Sequence, residues 1–187
     1  MYENLLKTVT NLGSPKVLVV GDFMLDVYIF GDAIRISPEA PVPVLKVTNN
    51  EYRCGGAGSV AADIAALGGK PFCLGVIGDD QNSEILKNKL TQIGADISGL
   101  ITRVNYPTIS KQRLIGLAQH LHRQQLIRMD YEPRELPADE QYEKILQIYH
   151  DKLISADIVC LQDYDKGLLS PSICQQMITM KLDLYLT

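Results

Sequence analysis

The stretch Lys16-Val-Leu-Val-Val-Gly-Asp22 constrains the fold of this chain more than any other. So short an unbroken aliphatic run reads as a strand buried on both faces, the kind found in parallel sheets covered by helices on each side. The run turns polar at its C-terminal tip, where Asp22 and then Asp26 follow. Open α/β sheets bind ligands at such tips, so both carboxylates are candidate site residues. Upstream, Tyr2, Leu5, Leu6, Val9 and Leu12 recur at helical spacing, and Gly13 with Pro15 ends that helix.

Downstream the pattern alternates. Gly55-Gly56-Ala57-Gly58 leads into an alanine-rich helix to Leu67, a strand spans Phe72 to Ile77, and a helix runs from about Ser83 to Ile93 before Gly94. Tyr142, Ile145, Leu146, Tyr149 and Leu153 mark an amphipathic helix, Asp157 to Leu161 a further buried strand, and Pro171 opens a last helix. This is β/α alternation, and it predicts a doubly wound α/β body over residues 1–187. Two segments break it, residues 27–50 and 104–131. The first carries Ser37-Pro-Glu-Ala-Pro-Val-Pro43, whose prolines exclude a central strand or a helix. The second alternates polar and apolar residues, as a sheet with one wet face does. Lid strands are predicted near 27–31, 42–48, 108–115 and 124–130, forming a small β lid.

Composition narrows the function classes. With 46% hydrophobic and 21% charged residues the chain has the make-up of a globular domain. Its apolar runs are far shorter than the roughly 18 residues of a membrane span, and its first twelve residues lack the apolar core of a secretory leader. The formal charge of -4 creates no global attraction for nucleic acid or anionic membrane, so any anion must be held locally. Cys54, Cys73, Cys160 and Cys174 show no CxxC spacing, which points to reduced thiols and a cytoplasmic protein.

A Gly55-Gly56-Ala57-Gly58-Ser59 segment entering a helix offers free N–H groups and close backbone approach, suited to sugar hydroxyls or a phosphate; a plain tight turn fits it as well. Lys111 and Arg113 alternate along one predicted strand, with Arg123 and Arg128 on its neighbour, giving either a cationic patch for a phosphorylated substrate or a solvated lid face. Asp163-Tyr164-Asp165-Lys166-Gly167 leaves a strand tip, where Asp-x-Asp suits a divalent metal and Lys a phosphate. Asp79-Asp80 reads as an ordinary acidic helix start. His120, His122 and His150 lack ligand spacing, so no metal site is assigned.

Taken in order, Val20-Gly-Asp22-Phe-Met-Leu-Asp26-Val-Tyr-Ile-Phe-Gly-Asp32, Arg35-Ile-Ser-Pro-Glu-Ala-Pro-Val-Pro-Val44, Gly55-Gly56-Ala57, Pro107-Thr-Ile-Ser-Lys111-Gln-Arg113, Gln124-Gln-Leu-Ile-Arg128-Met-Asp130 and Asp163-Tyr164-Asp165-Lys166-Gly167 resemble the ribokinase-like (PfkB) sugar kinases. Within them they resemble the D-glycero-β-D-manno-heptose 7-phosphate kinases, over about Lys16 to Ile178. The resemblance implies transfer of the ATP γ-phosphate, with Mg2+, to the anomeric hydroxyl of heptose 7-phosphate, giving heptose 1,7-bisphosphate for lipopolysaccharide synthesis. It puts Asp26, Gly55 and Gly56 at sugar-binding positions with Asp22 beside them. Lys111 and Arg113 hold the 7-phosphate or close the lid, and Asp163 and Lys166 face the reaction centre. Ser59 stands where the family usually has Asn, and residues 117–123 form a longer segment than the family's turn.

The family's Asn-Pro-x-x-x-Glu region and its Gly-Ala-Gly-Asp motif, which carries the catalytic base, do not occur in the 187 residues. No catalytic residue is therefore assigned. The chain is expected to be C-terminally truncated, to bind a sugar phosphate, to hold neither ATP nor Mg2+ tightly, and to be inactive alone. A homodimer through the lid is the expected assembly. The alternative is a non-catalytic phosphosugar-binding or dimerisation module whose lid strands pair across a two-fold axis. A glycosyltransferase centred on Asp163 and Asp165 has the least support.

Overall fold

The computed structural model describes residues 7–8, 10–11, 13–117 and 122–186. Most of the predicted N-terminal helix lies outside them, as does most of the 117–123 segment. The element order is β1 (Lys16–Gly21), β2 (Phe23–Ile36), β3 (Pro43–Gly56), α1 (Ala57–Ala66), β4 (Lys70–Gly78), α2 (Gln81–Gln92), β5 (Asp96–Arg103), β6 (Ser110–Leu117), β7 (Arg123–Tyr131), α3 (Asp139–Leu153), β8 (Ile158–Gln162) and α4 (Pro171–Leu186).

Four strands form a parallel sheet in the order β5-β4-β1-β8. The alternation within β1 divides the core in two. Leu18 and Val20 pack with Ile145, Tyr149 and Leu153 of α3 and Ile173 and Met177 of α4. Val17 and Val19 pack on the opposite face with Ala57 and Ala61 of α1 and Leu86 and Leu90 of α2. Each fully buried aliphatic side chain contributes about 1.5–3 kcal/mol, so the β1 run holds both helix layers to one sheet. This is the predicted doubly wound body. The carboxylate of Asp80 caps α2 by accepting the Ser83 N–H at 2.9 Å.

Two features of the body differ from the sequence reading. Strand β5 lies in a stretch read as neither helix nor strand: Ser98, Gly99 and Thr102 dilute its apolar signal, and pairing with β4 decides its conformation. Strand β8 is not buried on both faces but stands at the sheet edge, with Ile158 51% exposed.

The second sheet is mixed, in the order β3-β2-β6-β7, with β2 parallel to β6 and antiparallel to β3. Its strands are longer than the sequence suggested, because β2 and β3 run back into the body as far as Phe23 and Gly56. Pro43 opens β3, an edge strand, as proline requires. One face of this sheet supplies Leu25 and Val27 to the core below α1 and α2. The other face carries charge.

Candidate functional site

Asp22 follows β1 directly and joins three elements. Its N–H donates to the Gln162 carbonyl at 3.2 Å, and its own carbonyl accepts the Ala57 N–H at 3.0 Å. Its carboxylate, in a residue only 4% exposed, accepts the N–H groups of Tyr164 at 3.0 Å and Lys166 at 3.2 Å. Burial pushes this carboxyl above its ordinary range, the backbone N–H donors pull it back, and nearby Asp163 adds to the rise. Asp22 therefore fixes the backbone of the 163–167 loop, and both its Oδ2 contacts are internal.

Asp26 lies on lid strand β2 and not at the tip of β1, as the sequence suggested. Register places Arg53, Asp26, Lys111 and Asp130 in one row across the four lid strands, and Glu51, Tyr28, Arg113 and Arg128 in the next. Paired residues share a face. Arg113 Nη1 donates to Asp26 Oδ1 at 2.6 Å, and the two side chains are each 19% exposed. The guanidinium carbons of Arg53 and Arg113 lie 4.7 and 5.1 Å from the centroid of the Tyr28 ring, within cation–π range. Burial works against the Arg113 cation, but the hydrogen bond and charge of Asp26 outweigh it and raise its pKa. Arg113 is thus held by a carboxylate and a ring, which corrects the reading of a solvated lid face. Arg128 grips Asp130 at 2.8 and 3.0 Å. The Lys111 side chain, half-buried between two carboxylates in its row, makes no hydrogen bond or ion pair among the described residues.

The glycines belong to the end of β3, paired with Met24 and Phe23, and not to a loop. A Cβ on Gly55 would sit 2.8 Å from Asp26 Oδ2, so only glycine leaves that carboxylate its place. Gly56, at φ +56, turns the chain into α1, and a Cβ there would meet the Asp22 carbonyl at 2.3 Å.

Three other expected site residues are engaged differently. Ser59 Oγ donates to the Gly56 carbonyl at 2.8 Å, a first-turn contact, and lines a separate hollow with Tyr52, Cys54 and Lys89 on the core side of β3. Asp163 accepts the Asp165 N–H at 2.8 Å. Lys166 Nζ pairs with Glu132 at 3.0 Å, tying the loop to the chain just after β7. Asp79 and Asp80 accept the N–H groups of Asn105 and Thr108, a scaffolding use that agrees with their reading as helix-start acids.

Tyr28, Arg53, Asp130 and Glu132 received no role from sequence. The i, i+2 spacings Asp26/Tyr28 and Lys111/Arg113 carried the only available signal, and it shows who shares a strand face without showing which strands meet. Among the described residues no group of three or more His, Cys, Asp or Glu side chains gathers to hold a metal ion. What the arrangement offers is a carboxylate held by a guanidinium, a close-approach glycine and an ammonium without an ion pair side by side. That set suits a ligand with hydroxyls and a negative charge.

Comparison with known proteins gives the family. The bifunctional protein HldE of Methylobacillus flagellatus is 43% identical over 182 residues, covering 95% of this chain and 36% of that protein. The one from Wolinella succinogenes is 39% identical over 166 residues, covering 89% and 34%. The chain thus spans about a third of the length of the curated relatives it matches. Among solved structures, Arabidopsis thaliana ribokinase complexed with ribose and ATP aligns with a TM-score of 0.58 at 18% identity, covering 90% of this chain and 50% of that one. The acarbose kinase Mak1 aligns with a TM-score of 0.55 at 19% identity, covering 79% and 45%. These likenesses bear out the ribokinase-like fold, and residues 14–165 match the pfkB carbohydrate kinases. The chain belongs to the pfkB family of carbohydrate kinases.

Proposed function

We propose that this chain forms the sugar-phosphate-binding part of a heptose 7-phosphate kinase. The observation that carries the reading is the Asp26–Arg113 pair at 2.6 Å, with Gly55 against the carboxylate and Lys111 free beside it. Asp26 accepts hydroxyl protons of the sugar, and Gly55 and Gly56 let the ring approach the backbone. Lys111 faces the phosphate. Arg113 acts through Asp26 by holding its carboxylate, and Asp22 keeps the 163–167 loop in place behind the site. Ser59 and Lys166, already satisfied internally, support the site's walls.

ATP with Mg2+ supplies the transferred phosphoryl group in this family. The described residues offer no metal-holding set, and no step through either is assigned to them. The resemblance puts the catalytic base in a Gly-Ala-Gly-Asp motif that the 187 residues do not contain. The reading for the described residues is sugar-phosphate binding. Calorimetric titration with heptose 7-phosphate tests it: saturable binding supports the site, and no saturable binding overturns it.

The lid also supports self-association in a cytoplasmic homodimer. Ile34, Val47 and Ile127 are 74%, 53% and 52% exposed on its strands, an apolar surface that a second lid would cover. Sedimentation of the purified chain at micromolar concentration tests this, and a monomer throughout would remove it.

A further inference from the structure

A hollow of about 430 Å³ lies at the opposite edge of the body sheet from Asp26, where β1 and β4 begin. Lys16, Lys70 and Lys152 line it, over a floor that includes Leu18, Pro71 and Phe72. Two of the lysines are the first residues of β1 and β4 and are direct partners in the parallel register, so their side chains leave the same face of the sheet. That face is the one α3 covers, because Leu18 and Phe72, two residues further along each strand, both pack toward α3 and α4. The third lysine comes from the last turn of α3, and its Nζ stands 4.4 Å from the centroid of the Phe72 ring.

Like charges directly opposite on paired strands are unfavourable. None of the three ammoniums makes an ion pair among the described residues, and the carboxylate beside Lys16, that of Asp157, accepts the Lys16 backbone N–H at 2.8 Å. The acid on the rim, Asp96, is already bonded to the N–H and hydroxyl of Ser98. Three ammoniums without an ion pair thus gather in one concavity of a protein whose formal charge is -4. The cation–π contact holds Lys152 at the hollow.

We propose that this hollow is a second anion site, distinct from the lid site, which takes a small polyphosphate-bearing molecule. A chain of phosphates places several charged oxygens within reach of three separate ammoniums, which a single carboxylate cannot do. The apolar floor accommodates whatever less polar group carries the phosphates. Nothing in this site depends on the identity of the sugar bound at the lid.

The test is a titration of the 187-residue chain with inorganic tripolyphosphate, followed residue by residue by amide NMR. The amides of Lys16, Lys70 and Phe72 should shift along a saturable curve. Lys16→Gln, Lys70→Gln and Lys152→Gln should each weaken that curve by roughly tenfold, the scale of one lost charge-assisted contact. Raising the salt should weaken it further. Lys111→Gln should leave the curve unchanged while altering any response at the lid amides. Shifts at the lower edge that stay linear up to about 10 mM, or that survive the three lysine substitutions unaltered, would overturn the proposal.

Discussion

Replacing Arg113 by Met separates two kinds of contribution to sugar-phosphate binding. The guanidinium sits 2.6 Å from Asp26, with both side chains 19% exposed. Exposed pairs contribute about 0.2–1 kcal/mol, while removing one partner of a buried pair costs 3–5 kcal/mol, so a half-buried pair should cost the fold about 1–3 kcal/mol. Without its partner the Asp26 carboxylate loses its fixed orientation. The hydrogen bonds proposed between it and sugar hydroxyls, on the order of 1.5–3 kcal/mol for a charged acceptor, should weaken accordingly, a loss of roughly 10- to 150-fold in affinity. Because Arg113 is already engaged by Asp26 and lies over Tyr28, that loss should be the same for heptose 7-phosphate and for heptose. Lys111→Met should behave differently, weakening only the phosphorylated sugar and doing so less as salt rises. Calorimetric titration of both variants with both sugars reads the difference, and urea denaturation reads the stability cost. A loss in Arg113→Met confined to the phosphorylated sugar would make Arg113 a phosphate ligand and refute the argument that it works through Asp26.

Gly55→Ala should abolish measurable sugar binding at some cost in stability, since the added Cβ would lie 2.8 Å from Asp26 Oδ2 and 3.0 Å from Cγ of the buried Met24; unchanged affinity by calorimetry would show that Asp26 needs no such clearance. Burial raises the Asp22 carboxyl above 3.8, so its stabilising share is complete below that value and is lost as pH rises through the raised pKa. The stability of the wild type relative to Asp22→Asn should therefore fall as pH rises above 3.8, and denaturation curves showing a constant or rising difference would contradict this. Cys73 is fully buried, and desolvation pushes its thiol up to about 12, so it should resist thiol reagents at neutral pH while the half-buried Cys54, Cys160 and Cys174 react first. Mass mapping that finds Cys73 labelled early in the native protein would sink this.

Much of the body was legible in the sequence because its signals are local. The Val17–Val20 run has the length and branching of a doubly covered strand, and Leu18 and Val19 indeed face different helix layers. Helix spacings and the Asp80 cap operate within one or two turns, which a linear reading captures. Strand β5 escaped because Ser98 and Gly99 give no β signal of their own; it is a strand because β4 lies alongside it. The side-chain type of Ser59 alone does not show that its hydroxyl bonds back to Gly56.

The residue types of the candidate site, a carboxylate near a glycine pair and alternating cations on a lid strand, were determined by the sequence, which a period of two sorts onto one face of each strand. Which of them meet was decided only by tertiary structure. Arg113 reaches Asp26 across a separation of 87 residues, through a parallel pairing of β2 with β6 whose connection runs through β3, α1, β4, α2 and β5. The burial of Asp22 has the same origin, since its carboxylate is closed in by a loop that follows it by more than 140 residues. Register between distant strands is set by how the whole chain packs its cores, and no local pattern encodes it.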